Sequence, residues 1–369
     1  MNLSFLIEQK ARELGFGLFG ITHPSTMEYY PLFESWLSRG NFGDMKYLDS
    51  QCSRKTRKNP KLLLENCKTI IVVGLAYDFP INNLDSTCKV ALFAQQSDYH
   101  QVIRHKLKSL LKYIQENTDF NTKGLACCDS APLLEKELAQ RAGLGRIGKN
   151  SLLISAEMGS FFNLGELLLN IDLPSSQIKE DDPCGNCELC IQSCPTNCID
   201  LDRTLIADHC IAYLTIEHKT SIPMELRPLM DSWIYGCDVC QLVCPWNQKT
   251  FKEKMPDHQK VSGKSQNKNI FKNIEQYILE DATLSQRRFA KKKILRNYAI
   301  CLGNSHMRQA IPALVQLFEE EELEIRAAAA WALGEIREKE SREVLQGVLI
   351  KEVQNEIRIE IEHALRKLM

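Results

Sequence analysis

Seven cysteines in two short runs constrain this chain more than any other feature. The runs are Cys184-Gly-Asn-Cys187-Glu-Leu-Cys190-Ile-Gln-Ser-Cys194-Pro195 and Cys237-Asp-Val-Cys240-Gln-Leu-Val-Cys244-Pro245. The first is a complete C-x-x-C-x-x-C-x-x-x-C-P pattern, in which three closely spaced thiolates hold one iron–sulfur cubane and the fourth reaches a second. The second run is one cysteine short, because Ile234 stands where the missing ligand belongs, and Cys210 is the nearest replacement. The spacing therefore assigns Cys184, Cys187, Cys190 and Cys244 to one [4Fe–4S] cluster, and Cys194, Cys210, Cys237 and Cys240 to another. Cys198 competes with Cys194, but the Cys-Pro pair favours Cys194. Zinc knuckles also use C-x-x-C pairs, yet leave the third cysteine and the closing Pro unexplained. Disulfides need an oxidising compartment, and the first fifteen residues already carry Glu8, Lys10, Arg12 and Glu13, unlike a secretory signal. The remaining cysteines read as small buried apolar thiols.

A chain of 369 residues, 44% hydrophobic and 25% charged, suggests two or three ordinary soluble domains. Apolar runs stay short of the roughly 18 residues a membrane helix needs, so a cytoplasmic protein without membrane contact is expected. The formal net charge of −1 hides an asymmetry. Residues 249–296 hold 13 Lys/Arg against 5 Asp/Glu, whereas residues 297–369 hold 9 against 13. Such a surplus fits either a polyanionic partner or a solvated face.

Residues 1–175 read as an α/β domain. Residues 69–77 form a β-branched apolar run suited to a central strand, and residues 98–116 have helical apolar spacing with Asp98 as N-cap. Residues 124–128 suggest a strand, followed by a helix opening at Pro132. A two-cluster ferredoxin-like domain then spans 176–250, and a basic connecting segment 251–285. Over 286–369, Ile325-Arg-Ala-Ala-Ala-Ala-Trp-Ala-Leu333 recurs 32 residues later as Ile357-Arg-Ile-Glu-Ile-Glu-His-Ala-Leu365, the period of a HEAT-like α-solenoid. Gly143-Leu-Gly-Arg-Ile-Gly148 matches G-x-G-x-x-G, but a helix precedes it and a strand follows. Nucleotide sites require the reverse order.

Together these segments resemble the epoxyqueuosine reductase family, relatives of the reductive dehalogenases. The matching pieces are Asp98-Tyr-His100, Asp129-Ser-Ala-Pro132-Leu-Leu-Glu135, Ala142-Gly-Leu-Gly-Arg-Ile-Gly-Lys-Asn-Ser151, the cysteine runs, Cys210-Ile-Ala-Tyr-Leu-Thr-Ile-Glu-His-Lys219 and the helical tail. The resemblance implies a monomeric enzyme with cobalamin in a nitroreductase-like α/β domain and two [4Fe–4S] clusters. It would be fed by an external low-potential donor and would reduce epoxyqueuosine in a tRNA anticodon stem-loop. It makes Asp129 the proton donor, and places Arg57, Tyr99, Asp129, Lys149, Asn150 and Ser151 at the cobalamin. Glu217 and Lys219 fall where substrate contacts are expected, and the charge surplus adds Arg288, Lys291, Lys292, Lys293 and Arg296 as phosphate contacts. Asp98-Tyr-His100 begins like the cobalt-ligating D-x-H-x-x-G, but Ile103 replaces its Gly, so His100 reads as structural. A small-molecule dehalogenase and a non-catalytic electron carrier are the alternative functions. Asp129 among Cys127, Cys128, Ala131 and Pro132 is expected in an apolar setting that keeps its carboxyl protonated; its rival role is a cap for the helix at Pro132.

Overall fold

The computed structural model describes residues 3–77, 88–95, 98–118, 121–178, 181–254 and 287–369. In chain order the elements are α1 (Leu3–Glu13), β1 (Leu18–Thr22), α2 (Tyr30–Ser38), α3 (Gln51–Lys58), β2 (Thr69–Ala76), β3 (Lys89–Val90), α4 (Tyr99–Glu116), β4 (Gly124–Cys127), α5 (Glu135–Arg141), β5 (Arg146–Ile147), β6 (Leu153–Ile154), β7 (Phe162–Leu169), α6 (Leu189–Gln192), α7 (Ile211–Ile216), β8 (Trp233–Tyr235), α8 (Val239–Leu242) and α9 (Pro245–Lys254). Helices Arg287–Ser305, Ile311–Gln316, Leu323–Ile336, Lys339–Lys351 and Asn355–Lys367 complete the chain. No described helix is long and apolar enough to cross a membrane. Two compact units divide these elements, and the basic segment 251–285 lies largely outside the described residues.

The first unit comprises residues 1–80, 96–207 and 239–258. Its sheet is antiparallel in the order β1-β2-β7-β4. As its β-branched run foretells, β2 is central and buried on both sides. Ile70 and Val72 join one apolar cluster with Leu138 and Ala139 of α5, while Ile71 and Val73 join another with Ile7 of α1 and Ile103, Leu107 and Leu110 of α4. Asp98 caps α4, its carboxylate accepting from the His100 backbone N–H at 3.0 Å. The helix expected from Pro132 starts only at Glu135, with Leu134 still in a non-helical backbone (φ −91°, ψ 70°) at its N-cap.

The second unit comprises residues 81–95, 208–238 and 259–369. Its helix Leu323–Ile336 packs against Arg287–Ser305 and Asn355–Lys367. The helical repeat has a steric basis: a Cβ on Gly303 would meet the Ala332 Cα at 2.8 Å, and one on Gly334 would meet the Ala364 Cβ at 2.8 Å. Small residues at matching positions let the helix backbones approach, so the stack repeats with the sequence.

Candidate active site and cluster cavity

Within the first unit, Cys184, Cys187, Cys190 and Cys244 line one cavity of about 90 Å³, with Asn150, Ile154, Pro183, Leu189, Pro245 and Trp246. Local hydrogen bonds gather them. Cys187 N–H donates to the Cys184 carbonyl at 2.8 Å, and the Trp246 indole donates to the Pro183 carbonyl at 2.8 Å, bringing the end of the second run to the start of the first. The four thiols ring this space. Burial pushes the Cys190 and Cys244 thiols up, and the neighbouring Cys184 adds to it. Cys198 is buried with its sulfur 3.5 Å from that of Cys194, and its hydrogen bond is the main cause that brings the Cys194 thiol down to about 5.

The residues between α5 and β6 reach this cavity. Lys149 N–H points at the Cys184 sulfur, 3.3 Å away, and the Asn150 side chain lines the space. Gly145 is required here, since a Cβ would fall 2.3 Å from the Ile154 carbonyl oxygen across the β5–β6 pair. On its other side the segment meets a groove of about 280 Å³, lined by Ser151, Tyr29, Phe33, Trp36, Leu134, Ile147 and Leu205, with Lys136 and Arg203. Lys136 Nζ donates to the Ser151 carbonyl at 2.5 Å.

Asp129 lies just beyond β4. Its Oδ2 is 3.0 Å from His100 Nε2, and His100 Nδ1 is 2.8 Å from Asp98 Oδ1. One imidazole thus bridges the cap of α4 and the Asp129 carboxyl. The hydrogen bond to Asp129 raises the His100 pKa most, partly opposed by burial and aided by Asp98. Tyr99 stacks on that ring with centroids 4.0 Å apart, and burial pushes its phenol up. Arg57 is half-buried over the Phe33 ring at 5.6 Å and hydrogen-bonded to Ser53. Asp129 N–H donates to Glu135 Oε1 at 2.7 Å. Behind Glu135 stands Glu166 of β7, wholly buried. Burial, then the charge of Asp129, pushes the Glu135 carboxyl up to about 7; burial, then Glu135, pushes Glu166 well above the carboxylate range.

Several expectations change. The Asp129 side chain is 62% exposed, not enclosed by Cys127 and Cys128, which are themselves buried. It does not cap α5 either, since the residue at that N-cap is Leu134. His100, read as structural, proves to be the partner of Asp129. Asn150 is buried towards the cysteines rather than towards the groove. In the second unit Arg296 is 2% exposed and spends its guanidinium on the Leu214, His218 and Thr220 carbonyls, so it has no face for a phosphate. Lys293 Nζ likewise bonds the Ile216 and Glu217 carbonyls at the end of α7. Lys291 and Lys292 remain at the surface, paired with Glu320 at 4.0 Å and Glu324 at 2.8 Å. The Arg288 side chain lies outside the described residues. Glu135 had no assigned role and Glu166 went unnamed in the sequence reading, although one acidic residue inside the mostly apolar strand Phe162–Leu169 is a usable signal.

The raised carboxyl pair has a measurable consequence. Folded, Glu166 keeps its proton far above the pH at which the unfolded chain loses it, so folding takes up a proton across that window and stability falls as pH rises through it. Glu166→Gln has no proton to lose. Urea unfolding should show the variant more stable than the parent near pH 8, with the difference shrinking towards pH 4; parallel curves would refute the assignment.

Comparisons with known proteins agree with this arrangement. Residues 183–247 match the family described as a 4Fe-4S double cluster binding domain, residues 57–130 that described as epoxyqueuosine reductase, and residues 283–366 that of HEAT repeats. An epoxyqueuosine reductase of Escherichia coli (strain K12) is 36% identical over 361 residues, covering 95% of this chain and 94% of its own. That of Vibrio cholerae is 36% identical over 348 residues, covering 92% and 93%. Among solved structures, the reductase from Streptococcus thermophilus has a TM-score of 0.82 at 28% identity, covering 100% of this chain and 99% of that one. An epoxyqueuosine reductase in complex with a tRNA-Tyr epoxyqueuosine-modified stem loop has the same TM-score and identity, with full coverage of both chains. The Bacillus subtilis reductase, with its catalytic aspartate loop swung out of the active site, has a TM-score of 0.79 at 26% identity, again with full coverage of both. With more than a third of its residues shared over nearly its whole length, the chain belongs to the epoxyqueuosine reductase family of oxidoreductases.

Proposed function

We propose that this chain reduces the epoxide of epoxyqueuosine at the tRNA wobble position to queuosine, using cobalamin and two [4Fe–4S] clusters. The observation that carries the reading is the 149–151 segment, which lines the cysteine cavity with Asn150 and the groove with Ser151. The four thiols around the cavity suit a cubane, and the apolar walls and polar rim of the groove suit a flat macrocycle with a polar periphery. Cobalamin would rest against Tyr29, Phe33, Trp36 and Leu205, with Lys136, Ser151 and Arg203 at its edge and Arg57 stacked behind the Phe33 ring. When bound, it supplies a strongly reducing centre for the carbon–oxygen bond, fed one electron at a time by the clusters.

The protein supplies position and protons. Converting an epoxide to an alkene consumes two electrons and two protons and releases water. Asp129 delivers the proton to the departing oxygen, and His100, held by Asp98 and carrying a raised pKa, replaces it. The solved relative with a modified stem loop supports a tRNA substrate. A wobble base can be splayed into a pocket while the stem is held by phosphate contacts. Lys291 and Lys292, with Glu217 and Lys219, are the remaining candidates for RNA contact. Replacing Lys291 and Lys292 with Ala should flatten the log–log salt dependence of tRNA binding by about 0.7 to 0.9 per lost contact; an unchanged slope would assign them to their glutamate partners alone.

Anaerobic incubation of cluster-loaded protein with cobalamin, a strong reductant and epoxyqueuosine-containing tRNA, followed by mass analysis of nucleosides, tests the function. Queuosine should replace epoxyqueuosine; persistence of the epoxide overturns the reading. The ligand assignment has its own test, because Cys244→Ser should damage the cluster held by Cys184, Cys187 and Cys190, whereas Cys240→Ser should damage the other. Paramagnetic resonance showing the same cluster lost in both variants would refute it.

A further inference from the structure

Asn150 has one satisfied and one unsatisfied end. It is 4% exposed, and its Oδ1 accepts from the Leu152 N–H at 3.3 Å, which fixes which end of the amide is oxygen. Its Nδ2 is buried without a hydrogen-bond partner, on a side chain that lines the cavity of Cys184, Cys187, Cys190 and Cys244. A buried amide N–H₂ left unpaired is costly, and native structures seldom keep one without a use. The same stretch aims a second donor at the site, since Lys149 N–H approaches the Cys184 sulfur at 3.3 Å. Close packing holds the side chain in place: a Cβ on Gly148 would come within 3.0 Å of Asn150 Oδ1.

We propose that Asn150 donates its Nδ2–H to a sulfur of the cluster held by Cys184, Cys187, Cys190 and Cys244, raising the reduction potential of that cluster. A reduced cluster carries one more negative charge than the oxidised one. A donor to its sulfur therefore stabilises the reduced form preferentially. Asn150 thus tunes the cluster, while its neighbour Ser151 lines the groove, so residues 149–151 are the shortest covalent path between the two sites. Asn150 is a positioning and tuning residue, not one that touches substrate. The inference rests on the two-cluster reading above.

The test uses full-length protein reconstituted anaerobically with iron and sulfide, titrated electrochemically and followed by paramagnetic resonance. The signal of this cluster is identified as the one lost in Cys244→Ser. Asn150→Leu removes the donor and should move the midpoint of this cluster downward while leaving that of the other in place. Asn150→Asp keeps the shape but substitutes an acceptor that carries negative charge, and should move it further down; it also serves if the leucine variant assembles poorly. Pulsed resonance should show a coupling to an exchangeable proton in the parent that is lost in Asn150→Leu. Unchanged midpoints in both variants with both clusters present would overturn the role of Asn150 and leave the proposed function standing. Failure of the parent chain to bind iron and sulfide would instead overturn the two-cluster reading, and this inference with it.

Discussion

Asp129→Asn should lower the rate of epoxide reduction by about a hundredfold to ten-thousandfold, the usual contribution of a positioned general acid. The variant should still take up both clusters and cobalamin. The amide keeps the shape of the side chain, and its oxygen can still accept from His100 Nε2, so the α4 cap and the turn after β4 are undisturbed. What it loses is the ability to hand a proton to the departing oxygen. The pH profile separates this role from a merely structural one. His100 has a raised pKa, so its charge is fully present below the ordinary imidazole value and is lost as pH rises through the elevated one. Parent activity should decline only as pH rises through that elevated value, and His100→Asn should move the decline to lower pH. Single-turnover rates at saturating tRNA check both statements. Near-parental turnover in Asp129→Asn would remove Asp129 from the chemistry.

Legibility in the sequence followed the range of the interaction. The crossed ligand reading placed Cys244 with Cys184, Cys187 and Cys190, and these four do line one cavity, because stride and the closing Pro are local signals. The central position of β2 was legible from its β-branched run, and the helical stack from its period. The proton partners were not legible as a group. Glu166 is 37 residues from Asp129 in sequence and reaches its neighbourhood through sheet register, which sets it opposite Cys127 on β4. Register emerges only when strands pair. Asp98-Tyr-His100 was visible, but the local pattern around it, with Ile103 in place of Gly one turn on, carries no sign of the carboxyl that His100 meets across the fold. Charge counting failed for a different reason: a linear surplus cannot tell which cations face a packed neighbour. In residues 294–302, where Ile294, Leu295, Tyr298, Ala299, Ile300 and Leu302 are all buried, an arginine among them is a buried arginine.

Arg296→Ala should therefore destabilise the second unit by about 1 to 3 kcal/mol for each buried acceptor left without its donor. The guanidinium donates to the Leu214 carbonyl at 2.7 Å and the His218 carbonyl at 3.1 Å, and also to Thr220, while Asn297 Oδ1 accepts from it at 2.9 Å. Asn297 in turn donates to the Thr215 and Ile234 carbonyls at 2.9 Å, so two adjacent residues fasten helix Arg287–Ser305 to α7 and β8. Truncation to Ala strands the carbonyl of buried Leu214 and Asn297 Oδ1, whereas water can reach the carbonyls of half-buried His218 and exposed Thr220. Arg296→Lys should rescue only part of the loss, because one ammonium cannot span acceptors that the planar fork meets together. Denaturant unfolding with a probe in the second unit measures both variants. A phosphate-binding arginine would behave in the opposite way: its replacement would leave unfolding unchanged and reduce the salt dependence of tRNA affinity. That outcome would return Arg296 to the surface and undo the packing argument. The expected one, a lowered midpoint at unchanged salt slope, separates the cation that builds the solenoid from those at its surface, Lys291 and Lys292.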